Sequence, residues 1–81
     1  MELYPVGEMI FLQNWDRPGL IGSLGTLLGK QGINIAAMTF GRDKPGGKAI
    51  SVLNVDSPIS PALLEQIRKL ENVLTAKIIR L

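Results

Sequence analysis

The sequence predicts an α+β fold whose elements follow the order βαββαβ. Three observations indicate this order: two stripes of leucine and isoleucine at helical spacing, four short β-rich segments, and a turn rich in glycine between the second and third of those segments. Two helical crossovers and one hairpin make the ferredoxin-like plan, in which a four-stranded antiparallel sheet carries both helices on one face. The 81 residues, 46% of them hydrophobic, are enough for one such domain.

The chain opens with a predicted linker remnant, residues 1–7, followed by a single domain over residues 8–81. Pro5 and Gly7 lie ahead of any periodic pattern, as is typical of a linker. The next segment, Glu8 to Asn14, is a short run with apolar residues on both pleat faces. This pattern is typical of a strand that is covered on both sides, so the segment is the first predicted strand.

The first predicted helix follows the turn from Asp16 to Gly19. Pro18 suits the first helical turn, because its missing N–H costs nothing there. A basic residue, Lys30, and a glycine, Gly32, close the helix. Between these limits one apolar stripe recurs at helical spacing, made of Leu20, Ile21, Leu24, Leu27 and Leu28.

A hairpin of two strands is predicted next. The segment Ile33 to Arg42 is β-rich at its ends, and Asp43 to Gly47 has the composition of a turn. The segment Lys48 to Val55 then forms the third strand.

A second helix and a last strand complete the order. Ser60 is the predicted N-cap, and Pro61 takes the first helical position. Asn72 breaks the helix before the last strand, Val73 to Leu81. The apolar stripe of this helix consists of Leu63, Leu64, Ile67 and Leu70.

The first two strands carry apolar residues on both faces of the predicted sheet. Because two helices cover one face only, the second face and the sheet edges need another cover, and a second copy of the chain supplies it most simply. We therefore expect homo-oligomerisation. Strict alternation places Ile10 and Leu12 on one face of the first strand, and Met9 and Phe11 on the other. In the second strand it places Ile33 and Ile35 on one face, and Met38 and Phe40 on the other.

The residue types that the sequence lacks exclude several classes of chemistry. There is no His and no Cys, so catalytic triads with either residue, the usual zinc sites and haem attachment are excluded. A formal charge of +2 and four aromatic residues give little support for nucleic-acid binding. No apolar run approaches the roughly 18 residues of a membrane span, and no nucleotide-binding fingerprint occurs. We expect no metal or cofactor in this domain, no nucleic-acid or membrane partner, and a cytoplasmic location.

The segment from Asn14 to Gly22 is the strongest candidate for a binding site. A strand passes here through a tight turn into a helix, whose first N–H groups and positive dipole end suit a carboxylate. Gly19 lets a ligand approach the backbone, and Asn14 and Asp16 offer oxygens to an ammonium group. A carboxylate and an ammonium group together define an amino acid. The alternative is structural: Asp16 caps the helix, Gly19 relieves a turn and Asn14 ends a strand.

Three glycines of the first helix and one asparagine leave two further alternatives open. The three glycines, Gly22, Gly25 and Gly29, share one helix face. Each makes the helix less stable than alanine would, by about 1 kcal/mol. They either admit a close neighbour or are tolerated on an exposed helix. Asn34, at the start of the second strand, is either a turn residue or a ligand that acts across an interface.

Longer motifs resemble a known family. The run DRPGLIGSLGTLLGKQGINIAAM, the segment GRDKPGGKAISVLNVDSPIS and the closing VLTAKIIRL are similar to the ACT domain that ends D-3-phosphoglycerate dehydrogenase. The similarity covers Gly7 to Leu81. The (D/N)RPG turn leading to GxNIA is characteristic of ACT domains, and the GRxxxGGxA hairpin with VDxP points to the dehydrogenase branch.

The resemblance implies a regulatory domain that is not itself an enzyme. ACT domains pair edge to edge into an eight-stranded sheet and bind amino acids between copies, so the resemblance implies a homodimer through sheet edges. It further implies L-serine as the feedback ligand and NAD as the cofactor of a separate catalytic domain in the parent enzyme. By motif position, the implied amino-acid site consists of Asn14, Asp16, Pro18, Gly19 and Leu20 from one copy and Asn34 from the other.

Three alternatives stand beside this interpretation. The first is an ACT-type dimerisation module that binds no ligand, and the second is the ACT domain of a serine dehydratase. The third is an acylphosphatase-like enzyme, in which Arg17 and Asn34 would hold a phosphate group. The turn that contains Arg17 lacks the glycine pattern that such a phosphate loop needs.

Overall fold

A computed structural model describes residues 8–42 and 46–80 of the chain. The predicted linker at residues 1–7, residues 43–45 of the predicted turn, and Leu81 lie outside the described residues. The described elements are β1 (Glu8–Trp15), α1 (Leu20–Lys30), β2 (Ile35–Arg42), β3 (Lys48–Val55), α2 (Pro61–Arg68) and β4 (Val73–Arg80).

The four strands form one antiparallel sheet in the order β2-β3-β1-β4, which confirms the predicted ferredoxin-like fold. Helix α1 connects β1 to β2, and α2 connects β3 to β4. In both cases the two connected strands are not adjacent in the sheet, and both helices cross on the same side of it. The buried residues of both helices share one hydrophobic core with β1, β3 and β4. The register confirms this arrangement, because Ile10 stands opposite Leu53 on one side and Ile78 on the other.

The helix boundaries differ slightly from the predicted ones. Helix α1 begins at Leu20, and its N-cap is Gly19, whose φ of 93° is left-handed. Pro18 therefore lies in the turn before the helix rather than in the first helical turn, and Asp16 is not the cap. Helix α2 starts as predicted, with the Ser60 hydroxyl accepting a hydrogen bond from the Leu63 N–H. It ends earlier than its apolar stripe suggests, since Leu70 follows the helix.

The second strand corrects the predicted assignment of faces. The register of β2 on β3 shifts between Ile35 and Ala37, as a β-bulge does. The extra residue reverses the alternation, so that Met38 stands opposite Leu53 and Phe40 opposite Ser51. Both partners are fully buried beneath the helices. Met38 and Phe40 thus lie on the same face as Ile35, and the expectation that they oppose it was wrong.

The face of the sheet that carries no helix is formed mainly by Met9, Phe11, Trp15, Ile50, Val52 and Ile79, and we call it the open face. Two lysines lie over its aromatic rings. The Lys48 ammonium is 5.9 Å from the centroid of the Trp15 ring, and the Lys77 ammonium is 5.5 Å from that of Phe11. These contacts keep the charged heads in water while the stems cover apolar surface.

The core between the helices and the sheet gives a first testable prediction. Ile67 of α2 is fully buried, so Ile67→Ala removes three methyl or methylene groups and leaves a cavity. We expect it to lower the free energy of unfolding by about 2–5 kcal/mol, measured by urea denaturation. The adjacent Gln66 is exposed, and Gln66→Ala is the matched control with an expected change of about 0.5 kcal/mol or less. Equal effects of the two changes would contradict this packing.

Candidate functional site

A cleft of about 310 Å³ lies between the start of α1 and the edge strand β2. It opens where β1 ends, at the point where the chain turns into the helix. Its volume is at the small end of the range for small-molecule sites. The residues that line it are Asn14, Asp16, Arg17, Leu20, Ile21, Met38 and Phe40.

Asn14 is a buried polar residue whose amide is held inside the chain. Its Oδ1 accepts a hydrogen bond from the Ser51 hydroxyl at 2.9 Å, and its Nδ2 donates to the Trp15 carbonyl at 3.0 Å. Only 2% of the residue is exposed. A side-chain amide carries two N–H donors, and the Trp15 carbonyl uses one of them.

Asp16 is tied to the turn that precedes β3. Its backbone N–H donates to the Gly47 carbonyl at 2.8 Å, and its Oδ2 accepts from the Gly46 N–H at 3.3 Å. Gly46 has a φ of 77°, a left-handed conformation that glycine adopts without strain. These contacts fix the Asp16 side chain, whose carboxylate supplies negative charge to the lining of the cleft.

The other predicted residues of the turn divide between the two flanks of α1. Leu20 lines the cleft, and the first four N–H groups of a helix lack intrahelical partners. Gly19 lies instead in a shallow groove on the other flank of α1, with Ser23 and Leu27. Pro18 is exposed in the turn beside it. The structure therefore brings Asn14, Asp16 and Leu20 together around the cleft, whereas Pro18 and Gly19 are not among its lining residues.

An apolar wall completes the cleft, and the sequence did not assign it to the site. Ile21 is 50% exposed, Phe40 is 42% exposed and Met38 is 36% exposed. The alternation pattern placed Met38 and Phe40 on the other face of the sheet, and the bulge in β2 turns them toward the cleft. The only sequence signal for this wall was the presence of large apolar residues on a strand at the edge.

Asn34 lies at the opposite end of the sheet from the cleft. It precedes Ile35, which pairs with Val55, whereas Asn14 pairs with Ala49 at the other end of β3. Six residues of extended strand separate the two ends, which is about 20 Å. One copy of the chain therefore cannot bring Asn34 to its own Asp16.

Asn34 is held at that end by Asp56, a residue that sequence reasoning did not assign to the site. The backbone N–H of Asn34 donates to Asp56 Oδ1 at 2.9 Å, and its Nδ2 donates to Oδ2 at 3.1 Å. The Asp56 N–H donates in return to the Asn34 carbonyl at 3.1 Å. The bonds from the backbone and side chain of Asn34 lower the pKa of Asp56 from its usual value. The VDxP sequence was the available signal for this partner.

Among the described residues, nothing packs closely against the glycine face of α1, which consists of Gly22, Gly25 and Gly29. A Cβ atom built on Gly22, Gly25 or Gly29 would find no atom of the described residues within 4 Å. Packing inside the described part of the chain thus does not require glycine there. Residues 8–42 and 46–80 also contain no group of three acidic side chains that could hold a metal ion, and no helix among them is long and apolar enough to cross a membrane.

The sequence of this chain is similar to those of known proteins. The sequence model of the ACT domain family matches residues 9–72. The D-3-phosphoglycerate dehydrogenase of Archaeoglobus fulgidus is 44% identical over 79 residues, which is 95% of this chain and 15% of that protein. The Bacillus subtilis enzyme of the same name is 33% identical over 81 residues, which is 100% of this chain and 15% of that protein. The chain thus spans about 15% of the length of these relatives.

A solved structure supports the fold independently. It is the solution structure of the ACT domain from GTP pyrophosphokinase of Chlorobium tepidum, with a TM-score of 0.60 and 16% sequence identity. The match covers 89% of this chain and 83% of that one. The fold and the family model agree, and the chain belongs to the ACT domain family.

Proposed function

We propose that this domain binds a small amino acid, L-serine, between two copies of the chain and thereby regulates a catalytic domain on the same polypeptide. The observation that carries the proposal is the position of the polar residues in the sheet. Asn14 and Asp16 line a cleft at one end of it, and Asn34 projects from the other end. Two copies are needed to unite them.

The chemistry of the cleft suits an amino acid. The carboxylate of Asp16 attracts an ammonium group at the mouth, and the N–H groups at the start of α1 attract a carboxylate. The Nδ2 of Asn14 donates to the carboxylate of the bound amino acid or to the hydroxyl of its side chain. The apolar wall of Ile21, Met38 and Phe40 limits the size of the ligand side chain and excludes water around these hydrogen bonds.

Pairing of two copies through β2 completes the site. This strand is an edge of the sheet, so its outer backbone groups are open to another strand. A two-fold axis makes the two β2 strands antiparallel, and the start of each then lies beside the end of the other. The partner's Asn34 thereby arrives at the cleft of the first copy.

Regulation follows from a ligand that bridges two copies. A ligand that contacts both copies favours the paired arrangement, and a preference of about 1–3 kcal/mol gives about 5- to 150-fold coupling. The relatives are D-3-phosphoglycerate dehydrogenases in which the matching part is 15% of the length. We therefore propose such a dehydrogenase as the parent. Its NAD would bind in the catalytic domain, since this chain carries no dinucleotide fingerprint.

Titration calorimetry with L-serine tests the site. We expect a dimer to bind L-serine saturably, and to bind glycine and L-valine with larger dissociation constants. The variants Asp16→Ala and Asn34→Ala each remove a hydrogen bond to a charged group, and each is expected to weaken binding about 10-fold or more. The molar mass is measured by light scattering at the same concentration.

Gln13→Ala provides the control, because Gln13 precedes Asn14 in the sequence but is exposed on the open face of the sheet. It is expected to leave the dissociation constant unchanged. Unchanged affinity in both Asp16→Ala and Asn34→Ala would remove this site assignment. An intact dimer that gives no heat with any of the three amino acids would instead support a dimerisation module without a ligand.

A further inference from the structure

The side chain of Asn34 is bonded to a carboxylate on the neighbouring strand end. Asp56 accepts from both the backbone N–H and the Nδ2 of Asn34, at 2.9 and 3.1 Å. The Ser57 hydroxyl also donates to Asp56 Oδ1, at 3.1 Å. Asp56 is thus an acceptor for three donors, which suits an ionised carboxylate.

This contact decides which end of the amide faces away from the chain. An ionised carboxylate accepts hydrogen bonds and cannot donate them, so the group of the amide that faces it must be the NH₂. The hydrogen bonds from Asn34 keep the pKa of Asp56 below its usual value, and the carboxylate therefore stays ionised near neutral pH. The carbonyl Oδ1 of Asn34 is consequently the end turned away from Asp56.

We propose that Asp56 is a positioning residue for the effector: it fixes the Asn34 amide so that its carbonyl oxygen meets the ammonium group of an amino acid bound in the partner copy. The inference rests on the proposed function and specifies which group of the ligand Asn34 receives. An ammonium group has three donors, so it bonds to the Asn34 carbonyl oxygen and to the Asp16 carboxylate together.

The VDxP segment thereby has a role at the proposed interface. Asp56 belongs to this segment, directly after β3, and it holds the residue that precedes β2. If Asp56 were neutral or absent, the amide could turn its NH₂ toward the ligand. A donor there would repel the ammonium group, and the site would lose its selectivity for amino acids.

A double-mutant cycle tests whether Asp56 acts through Asn34. Dissociation constants for L-serine are measured for the intact protein, Asn34→Ala, Asp56→Ala and the double variant. We expect each single variant to bind about 10-fold more weakly, and the double variant to bind no more weakly than Asn34→Ala alone. Effects that multiply in the double variant would overturn the proposal, because they would show that Asp56 acts independently.

An exchange of the two side chains tests the orientation of the amide. Asp56→Asn alone is nearly isosteric and is expected to weaken binding about 10-fold, because an amide at that position can face either end of Asn34. Combining Asp56→Asn with Asn34→Asp restores a donor against a carboxylate and still presents an oxygen to the ligand. We expect the exchange to recover most of the affinity. Failure of the exchange, with both variants folded by circular dichroism, would overturn the assignment.

Two further measurements separate this proposal from the proposed function. Ser57→Ala removes a second donor to Asp56 without touching Asn34, and we expect its affinity to stay within about twofold of the intact protein. If Asp16→Ala leaves serine binding unchanged, the site itself is wrong. If Asp16→Ala weakens binding and Asp56→Ala does not, the site stands and only the positioning role is wrong.

Discussion

The combination of Ala37→Asp with Thr39→Asp is expected to convert the proposed dimer into a monomer and to weaken the proposed L-serine binding at least about 10-fold. Both residues are exposed on the edge strand β2, and they point to the open face, away from the cleft. In a two-fold pairing of β2, four carboxylates would meet across the strands. Like charges that face each other across a strand pair destabilise it, and without the partner's Asn34 the site is incomplete.

Light scattering and calorimetry on the same samples check this expectation. The control places two carboxylates on the other edge of the sheet, with Thr75→Asp and Lys77→Asp on β4. We expect this control to remain dimeric. Mixing the acidic β2 variant with a basic one, Ala37→Lys with Thr39→Lys, should restore a heterodimer that binds serine. Dissociation caused by the β4 variant alone would show that the wrong edge has been chosen.

Loss of the buried carboxylate of Glu8 is expected to have the largest effect of a single charge on stability. Glu8 opens β1 and is 5% exposed. Its Oε2 accepts from the Ile59 N–H at 2.8 Å, and its Oε1 pairs with the Arg80 guanidinium. Burial raises the pKa of Glu8, but the hydrogen bonds from Arg80 and Ile59 and the charge of Arg80 together lower it below its usual value.

The sign of the pH dependence follows from this lowered pKa. A carboxylate with a depressed pKa in the folded protein stabilises it above the pKa of the unfolded chain, and the contribution is lost as pH falls through the folded pKa. We expect Glu8→Gln to cost about 1–3 kcal/mol near pH 7. The difference from the intact protein should shrink as the pH falls below the pKa of glutamate in the unfolded chain, and disappear only below the lowered pKa of Glu8 in the folded protein.

Urea denaturation between pH 3 and pH 8 measures both effects. Glu65→Gln is the matched control, because Glu65 is 58% exposed and pairs with the exposed Arg68 at 2.5 Å. Exposed pairs contribute little, so we expect a change of about 0.5 kcal/mol or less at every pH. Equal losses in the two variants, or a loss from Glu8→Gln that does not shrink as the pH falls, would contradict the role given to the buried pair.

Local sequence patterns were sufficient for the elements of this domain. The stripe of Leu20, Leu24 and Leu28 recurs every four residues, and these three side chains form the buried side of α1. Ser60 and Pro61 predicted the start of α2, because N-cap and first-turn chemistry act over a few residues. The order of these elements then restricts the sheet to very few topologies.

Local patterns could not predict the partners of the polar residues. Asn34 and Asp56 are 22 residues apart, Glu8 and Ile59 are 51 apart, and Glu8 and Arg80 are 72 apart. None of these spacings is periodic. The family resemblance indicated Asn34 as a site residue, but the carboxylate that orients it becomes visible only once the end of β3 lies beside the start of β2.

The sequence by itself determined the element order, the sides of the helices that form the core, and the turn at which the cleft opens, because these depend on spacings of two to four residues. The tertiary structure decided the direction of Met38 and Phe40, since a single bulged residue reverses every later side chain of a strand. It also placed Asn34 at the far end of the sheet from Asp16. That separation of about 20 Å along an extended strand is the physical reason why the proposed site requires a second copy.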